Sequence, residues 1–348
     1  MKSVTIRRWF NRHLHLRDGK TMERVLPCTL NQGVTGAIIM PNLPDPVSTI
    51  DRAKAYRDRI TDILPEDSDF EPCMTCYLTD ETPPEEVVQG FKEGTWKAVK
   101  LYLTDQKGKG GTTGSVHGVS NLPGRYPVFE EMEKSQIPLL GHYEAVEEEV
   151  DEFEREIRAI EQYLLPILER FPGLPVVVEH ITDGRTADFI ADWDHPGGLF
   201  GTVTPHHMIL NRNAMFRGGM NPGYYCKPVP KSEEHRQKVR EYVTSGHPRF
   251  GAGTDSAPHH QDAKSKCYGS AAGIFCEPVA IGLYAEIFEA DNALDHLSPF
   301  LAKNFLHIYG MEVSQERVTL VRDPHKIPET IGGIPVFYGG YSEEWRIQ

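Results

Sequence analysis

The feature that most restricts how this chain can fold is a rhythm in which short apolar runs recur, each separated from the next by a stretch of helical periodicity. The runs are Gly36–Met40, Phe70–Leu78, Trp96–Tyr102, Ile137–Gly141, Pro175–Glu179, Leu199–Val203 and Arg249–Gly253, and the segment leading to His13 supplies one more. Runs this short, bounded by polar residues, read as buried strands. Between two of them Ser48 and Thr49 cap a predicted helix that sets Ala53, Tyr56, Ile60 and Ile63 on one face. Glu147–Phe171 repeats the pattern with Val150, Phe153, Ile157, Ile160, Leu164 and Leu168, and Pro166 is positioned to kink or divide that helix. Alternating strands and helices imply parallel strands, and eight such units suggest a closed (β/α)8 TIM barrel rather than an open sheet. A chain of 348 residues fits one elaborated barrel domain spanning 1–348.

Polar residues fall where such a barrel keeps its chemistry. His13 and His15 follow the first run, Asn42 the second, Lys100 the fourth, His142 the fifth, His180 the sixth and Asp255 the last. Barrel enzymes build their sites on that C-terminal rim. Two imidazoles at i and i+2 project from the same side of an extended segment, so His13 and His15 can serve one metal ion. Taken singly, each residue has an ordinary explanation: a hydrogen-bonded core histidine, a turn cap at Asp255, a lysine reaching solvent. Taken together, four histidines and an aspartate suffice for two borderline divalent ions, with zinc the natural candidate. Lys100 is the odd member, because an ammonium beside two dications would be repelled. A desolvated neutral amine, however, can add carbon dioxide and become a carbamate able to bridge both ions.

The balance of 37 Lys+Arg against 50 Asp+Glu, a formal charge of −13, disfavours nucleic acid or an anionic membrane as the main partner. No apolar run approaches the roughly 20 residues needed to span a bilayer, and no signal-peptide core follows Met1, so a cytoplasmic address is expected. Six scattered cysteines are too few for a disulfide scaffold, and Cys73 and Cys76 read as part of a buried strand rather than a metal or redox pair. Residues 104–118 enclose a glycine-rich stretch and are expected to form a mobile loop over the rim.

The segments His13-Leu14-His15-Leu16-Arg17-Asp18-Gly19, Met40-Pro41-Asn42, Lys100-Leu101-Tyr102, Val178-Glu179-His180 and Gly253-Thr254-Asp255-Ser256-Ala257-Pro258-His259 together resemble the dihydroorotase family, in its stand-alone bacterial and fungal type within the amidohydrolase superfamily. The likeness extends through Thr202–His207, Tyr225-Cys226 and Pro335–Trp345. It implies two Zn²⁺ ions bridged by N6-carboxylated Lys100 and a hydroxide, one held by His13, His15, Lys100 and Asp255, the other by Lys100, His142 and His180. Asp255 would act as general acid and base. Arg17, Asn42 and His259 would grip the substrate carboxylate and Ala272 would add a backbone contact. Thr112 and Thr113 match the family's substrate-loop threonines, and Lys227, in a position usually apolar, is counted among the substrate contacts. The implied reaction is reversible hydrolysis of L-dihydroorotate to N-carbamoyl-L-aspartate, by a homodimer.

The chain also departs from the family pattern, with Tyr143 where glycine usually follows the histidine, Leu103 in place of proline, and a longer loop. A tyrosine beside a ligand could narrow the cavity or present a hydroxyl. The rival readings are a related cyclic amidohydrolase acting on a hydantoin, dihydropyrimidine or allantoin ring, and a non-catalytic barrel scaffold. A neutral ring would leave the Arg17, Asn42 and His259 clamp unpaired, and the persistence of all six ligand positions argues against the scaffold.

Overall fold

The computed structural model describes residues 2–105, 107 and 116–348; Thr112, Thr113 and most of the predicted loop lie outside them. After β1 (Ser3–Arg7), eight strands are hydrogen bonded in parallel, in chain order: β2 (Trp9–Leu14), β3 (Val34–Ile39), β4 (Glu71–Tyr77), β5 (Ala98–Tyr102), β6 (Leu139–His142), β7 (Val176–Val178), β8 (Leu199–Val203) and β9 (Phe250–Ala252). The last segment meets the first: Asp255 N donates to His13 O at 3.0 Å and a parallel bridge joins Leu14 to Ser256. The result is the expected (β/α)8 barrel.

Side-chain alternation along the strands sorts the core into two layers. Phe10, Ile38, Cys73, Ala98, Leu140 and Val177 point inward and fill one end of the barrel together with Phe305, Leu306 and Tyr309. The opposite faces, among them Ala37, Cys76, Val99, Leu101, Leu139 and Val176, pack against the surrounding helices. Cys73 and Cys76 therefore belong to different layers of β4, and both are free thiols. Two residues beyond inward-facing Ala98 and Leu140, Lys100 and His142 point into the barrel above the apolar plug.

Several elements differ from the sequence reading. The helix expected from Glu147 begins only at Arg155: Val150 N donates to Glu147 O, and Phe153 N to the Asp151 side chain, so turns replace the first two periods. A π turn over Ile160–Leu164 then separates Arg155–Ala159 from Leu165–Arg170, and Pro166 falls in the first turn of the latter, where its missing N–H costs little. Thr49 caps Ile50–Thr61 as expected, accepting from Arg52 N at 3.3 Å, whereas Ile63 lies past the helix end. His13 and Lys100 sit within β2 and β5 rather than after them. A second sheet was not foreseen. Here β10 (Arg317–Lys326) pairs antiparallel with β1 on one side, and β11 (Thr330–Ile331) and β12 (Ile334–Pro335) form a short hairpin before β13 (Ser342–Ile347) pairs with β10 on the other.

Tyr143 plays neither of the roles open to it. Its ring is buried in the outer layer and is so close to Gly141 that a Cβ there would lie 2.0 Å from Tyr143 Cε2. Gly141 and Tyr143 are a matched pair behind β6, and the tyrosine does not line the cavity described next. Leu103 likewise faces away, bridging to Val119 and lining a separate surface cleft.

Candidate metal and substrate site

One small cavity at the strand ends, about 50 Å³, is lined by His13, His15, Arg17, Asn42, Tyr102, His142, His180, Lys227, Asp255, Ala257, Ala272 and Gly273. Sequence reasoning named nine of these, and Lys100 is fully buried against it, its Nζ 4.9 Å from the centre of the Tyr102 ring. Arg17 and Asn42 also line an outer cavity of about 600 Å³ that includes Tyr77, Pro258 and His259, so the inner chamber has a roomy approach.

The donors converge in two groups. His13 Nε2 lies 3.2 Å from His15 Nε2 and 3.2 Å from Asp255 Oδ1, and His15 Nε2 lies 3.0 Å from the same oxygen. His142 Nδ1 lies 3.0 Å from His180 Nε2. The His13 and His180 ring centres are 5.0 Å apart, so the groups are neighbours. Room for His13 comes from Gly253, where a Cβ would stand 3.0 Å from that of His13.

The backbone is bent to make this arrangement. Arg17, His180 and Asp255 adopt left-handed φ values of 61°, 43° and 43°. Such conformations cost a non-glycine residue of order 1–3 kcal/mol each and persist only where surrounding contacts impose them. Those contacts are visible: His180 N donates to Thr202 Oγ1 at 2.7 Å, and Tyr56 Oη donates to Arg17 O at 2.6 Å.

Burial sets the protonation states. Desolvation pulls His13 down to about 4 and His15 to about 3, overcoming the attraction of Asp255, and it lowers His142 and His180 as well. Four imidazoles are thus neutral near pH 7 with lone pairs to offer. Burial also pushes the Lys100 amine well below its ordinary value. Asp255 moves the other way: burial opposes its charge, but His13, His15 and His180 prevail and hold it well below the usual carboxylate range.

Two acids missed by sequence reasoning belong to the same cluster. Glu179 is buried, with Oε1 2.9 Å from His13 Nδ1 and Oε2 in contact with Lys100 Nζ. Glu144, also buried, accepts a hydrogen bond from His142 Nε2 at 2.7 Å. Their sequence signal is faint, an acidic residue one or two positions from a strand-end histidine. Three buried carboxylates, Asp255, Glu144 and Glu179, among neutral imidazoles make a donor set that suits cations. Both His13, His15, Asp255 and His13, Glu179, His180 meet closely enough to hold one. A third group, His206, His207 and Cys226, is just as close, but it does not line the cavity, and His207 Nε2 donates to Pro228 O at 3.0 Å.

At the mouth, Arg17 Nη2 donates to His259 Nε2 at 3.1 Å, Nε to Pro258 O at 3.3 Å and Nη1 to His15 Nδ1 at 3.4 Å. Burial, then Arg17 and Lys264, draw His259 down to about 3, so it meets the guanidinium as a neutral acceptor. Lys227 contacts Glu152, and burial lowers its amine despite Glu144 nearby.

A parallel barrel whose rim carries this donor set, with a guanidinium beside it, defines an amidohydrolase-type hydrolase. Among solved structures it is similar to dihydroorotase from Saccharomyces cerevisiae in complex with 5-fluoroorotic acid (TM-score 0.90, 26% identity, covering 100% of this chain and 99% of that one). It is also similar to dihydroorotase from Campylobacter jejuni (TM-score 0.87, 28% identity, 99% and 97% covered). L-Hydantoinase from Arthrobacter aurescens shares the fold at 13% identity, with a TM-score of 0.82 over 99% of this chain and 82% of that one. No family model matches the chain. Among curated proteins, the dihydroorotases of Nitrosococcus oceani (44% identity over 339 residues, 96% of each chain) and Synechococcus sp. CC9605 (42% over 335 residues, 96% of this chain and 94% of that one) align almost end to end. The chain belongs to the dihydroorotase family.

Proposed function

We propose that the protein interconverts L-dihydroorotate and N-carbamoyl-L-aspartate, ring closure being its biosynthetic direction in pyrimidine synthesis. The observation that carries this reading is the meeting of His13, His15, His142, His180 and Asp255 with Arg17 and Asn42 in one cavity, with Lys100 buried against it. His13, His15 and Asp255 would hold one Zn²⁺ and His142 and His180 the other, with Lys100 as a carbamate shared between them. The neutral imidazoles and the depressed lysine amine, the form that adds carbon dioxide, support that assignment. Such ions polarise an amide carbonyl and make water nucleophilic at neutral pH.

The chain's own residues supply the rest. Arg17 offers a planar fork to the substrate carboxylate, with Asn42, His259 and the Ala272 backbone completing the grip. Thr112 and Thr113 would add contacts from outside the described residues. Lys227 borders the chamber, where its ammonium would adjoin the ring. Asp255 Oδ1, held ionised, accepts a proton from the attacking water and returns it to the leaving ring nitrogen. A homodimer in the cytoplasm is the working assembly under this reading. Among the described residues no helix is long and apolar enough to cross a membrane.

Dihydroorotate ring opening, followed by ultraviolet absorbance on metal-replete protein, tests the proposal. Turnover is expected in the wild type and loss of it in Lys100→Ala, together with metal uptake below two equivalents. Equal rates would remove Lys100 from the mechanism. A preference for dihydrouracil would favour the hydantoinase-like alternative.

A further inference from the structure

An imidazole can present either nitrogen to a metal, and the choice is made by whatever binds the other one. For His142 that choice is visible. Its Nε2 donates to Glu144 Oε2 at 2.7 Å, leaving Nδ1 as the nitrogen 3.0 Å from His180 Nε2. Glu144 stands two residues beyond His142, its side chain has no exposed surface, and it is not among the residues lining the cavity. It stands behind His142, outside the chamber wall. Burying a carboxylate is costly unless compensated. Here the compensation is His142 itself, with Lys227 and Lys231 as the nearby cations that favour its charge. Glu179 lies at a similar distance from His13 but also contacts Lys100, so its effects would be mixed; Glu144 engages one ligand alone.

We propose that Glu144 is a positioning residue: its carboxylate fixes the ring orientation and tautomer of His142, aims Nδ1 at the metal shared with His180, and thereby sets the affinity of that one metal position. This rests on the binuclear reading above. It adds that the two positions are separately tunable, and that the second is governed by a group outside the cavity.

The test is stepwise titration of the full-length apoprotein with Zn²⁺ against a chromophoric chelator, and with Co²⁺ followed by visible absorption, in wild type, Glu144→Leu and Glu144→Gln. Glu144→Leu is expected to bind the first equivalent as wild type does and the second about 10- to 100-fold more weakly, with a changed Co²⁺ spectrum for that equivalent only. Glu144→Gln keeps an acceptor oxygen and should fall near wild type. Should the leucine variant fail to fold, Glu144→Asp, which keeps the charge and withdraws the acceptor, is expected to show the same selective loss. Unchanged affinities and spectra, or equal weakening of both positions, would overturn the role given to Glu144. A wild type that binds no divalent metal would instead overturn the centre itself.

Discussion

Replacing Arg17 by methionine separates substrate recognition from chemistry. The guanidinium lies at the junction of the inner chamber and its approach, where its three contacts are long, at 3.1, 3.3 and 3.4 Å. Those contacts hold the fork in place but can give way to a carboxylate. Two charge-assisted hydrogen bonds to a carboxylate would bring roughly 3–6 kcal/mol, and surrendering two of the present ones, long and ending on neutral acceptors, costs about 1–2 kcal/mol, for a net of about 2–4 kcal/mol. At about 1.4 kcal/mol per decade, kcat/KM for dihydroorotate should fall by roughly 30- to 700-fold. Because the carboxylate is remote from the amide being cleaved, most of the loss should appear in KM. Dihydrouracil has the same ring and no carboxylate, so any turnover of it should change less than about threefold, Arg17 having no charged partner there to lose. Steady-state kinetics on both substrates, with circular dichroism to confirm the fold, decides the matter. Equal losses on the two substrates would refute the clamp, as would an unchanged KM for dihydroorotate.

Other consequences can be checked as simply. Gly141→Ala should destabilise the protein by about 1–3 kcal/mol through overpacking against Tyr143, and the same change should cost far less in a Tyr143→Ala background; additive costs in thermal unfolding would sever the pair. Glu343, buried beside Gly282 and pushed up to about 9 by desolvation and then by Glu286, keeps its proton in the folded state at pH values where the unfolded chain has lost it. Its contribution is therefore present below the ordinary carboxylate range and lost as pH rises toward 9, so Glu343→Gln should raise Tm at pH 8–9 and leave it little changed at pH 4; a uniform shift would contradict this. Ring closure consumes a proton, so the ratio of closing to opening rates should fall as pH rises, and a flat ratio across the neutral range would count against the proposed reaction.

The barrel was legible because burial on both faces writes each strand as a short apolar run, and because His142, His180 and Asp255 stand at or just past strand ends, where few other roles bring such residues together. Local periodicity misled at Glu147–Glu154, where the Asp151 side chain takes the Phe153 backbone donor and turn bonds take those of Val150 and Glu154. The sheet of β1, β10 and β13 joins residues some three hundred positions apart, and β10 alternates too weakly between buried and exposed to declare its partners. Tyr143 was legible as unusual but not as harmless, since only its packing on Gly141 shows which way the ring turns. Glu144 and Glu179 carried only a faint signal for a related reason: an acid beside a strand-end histidine resembles any surface carboxylate until the fold buries it against an imidazole.

The left-handed backbone at Arg17, His180 and Asp255 bears on any attempt to improve the protein. At these positions the peptide geometry would be most at ease with glycine or asparagine, while the chemistry asks for a guanidinium, an imidazole and a carboxylate. Selection for heat resistance alone would drift toward the first set and selection for turnover toward the second, so a library screened only for melting temperature should accumulate inert winners at these three codons.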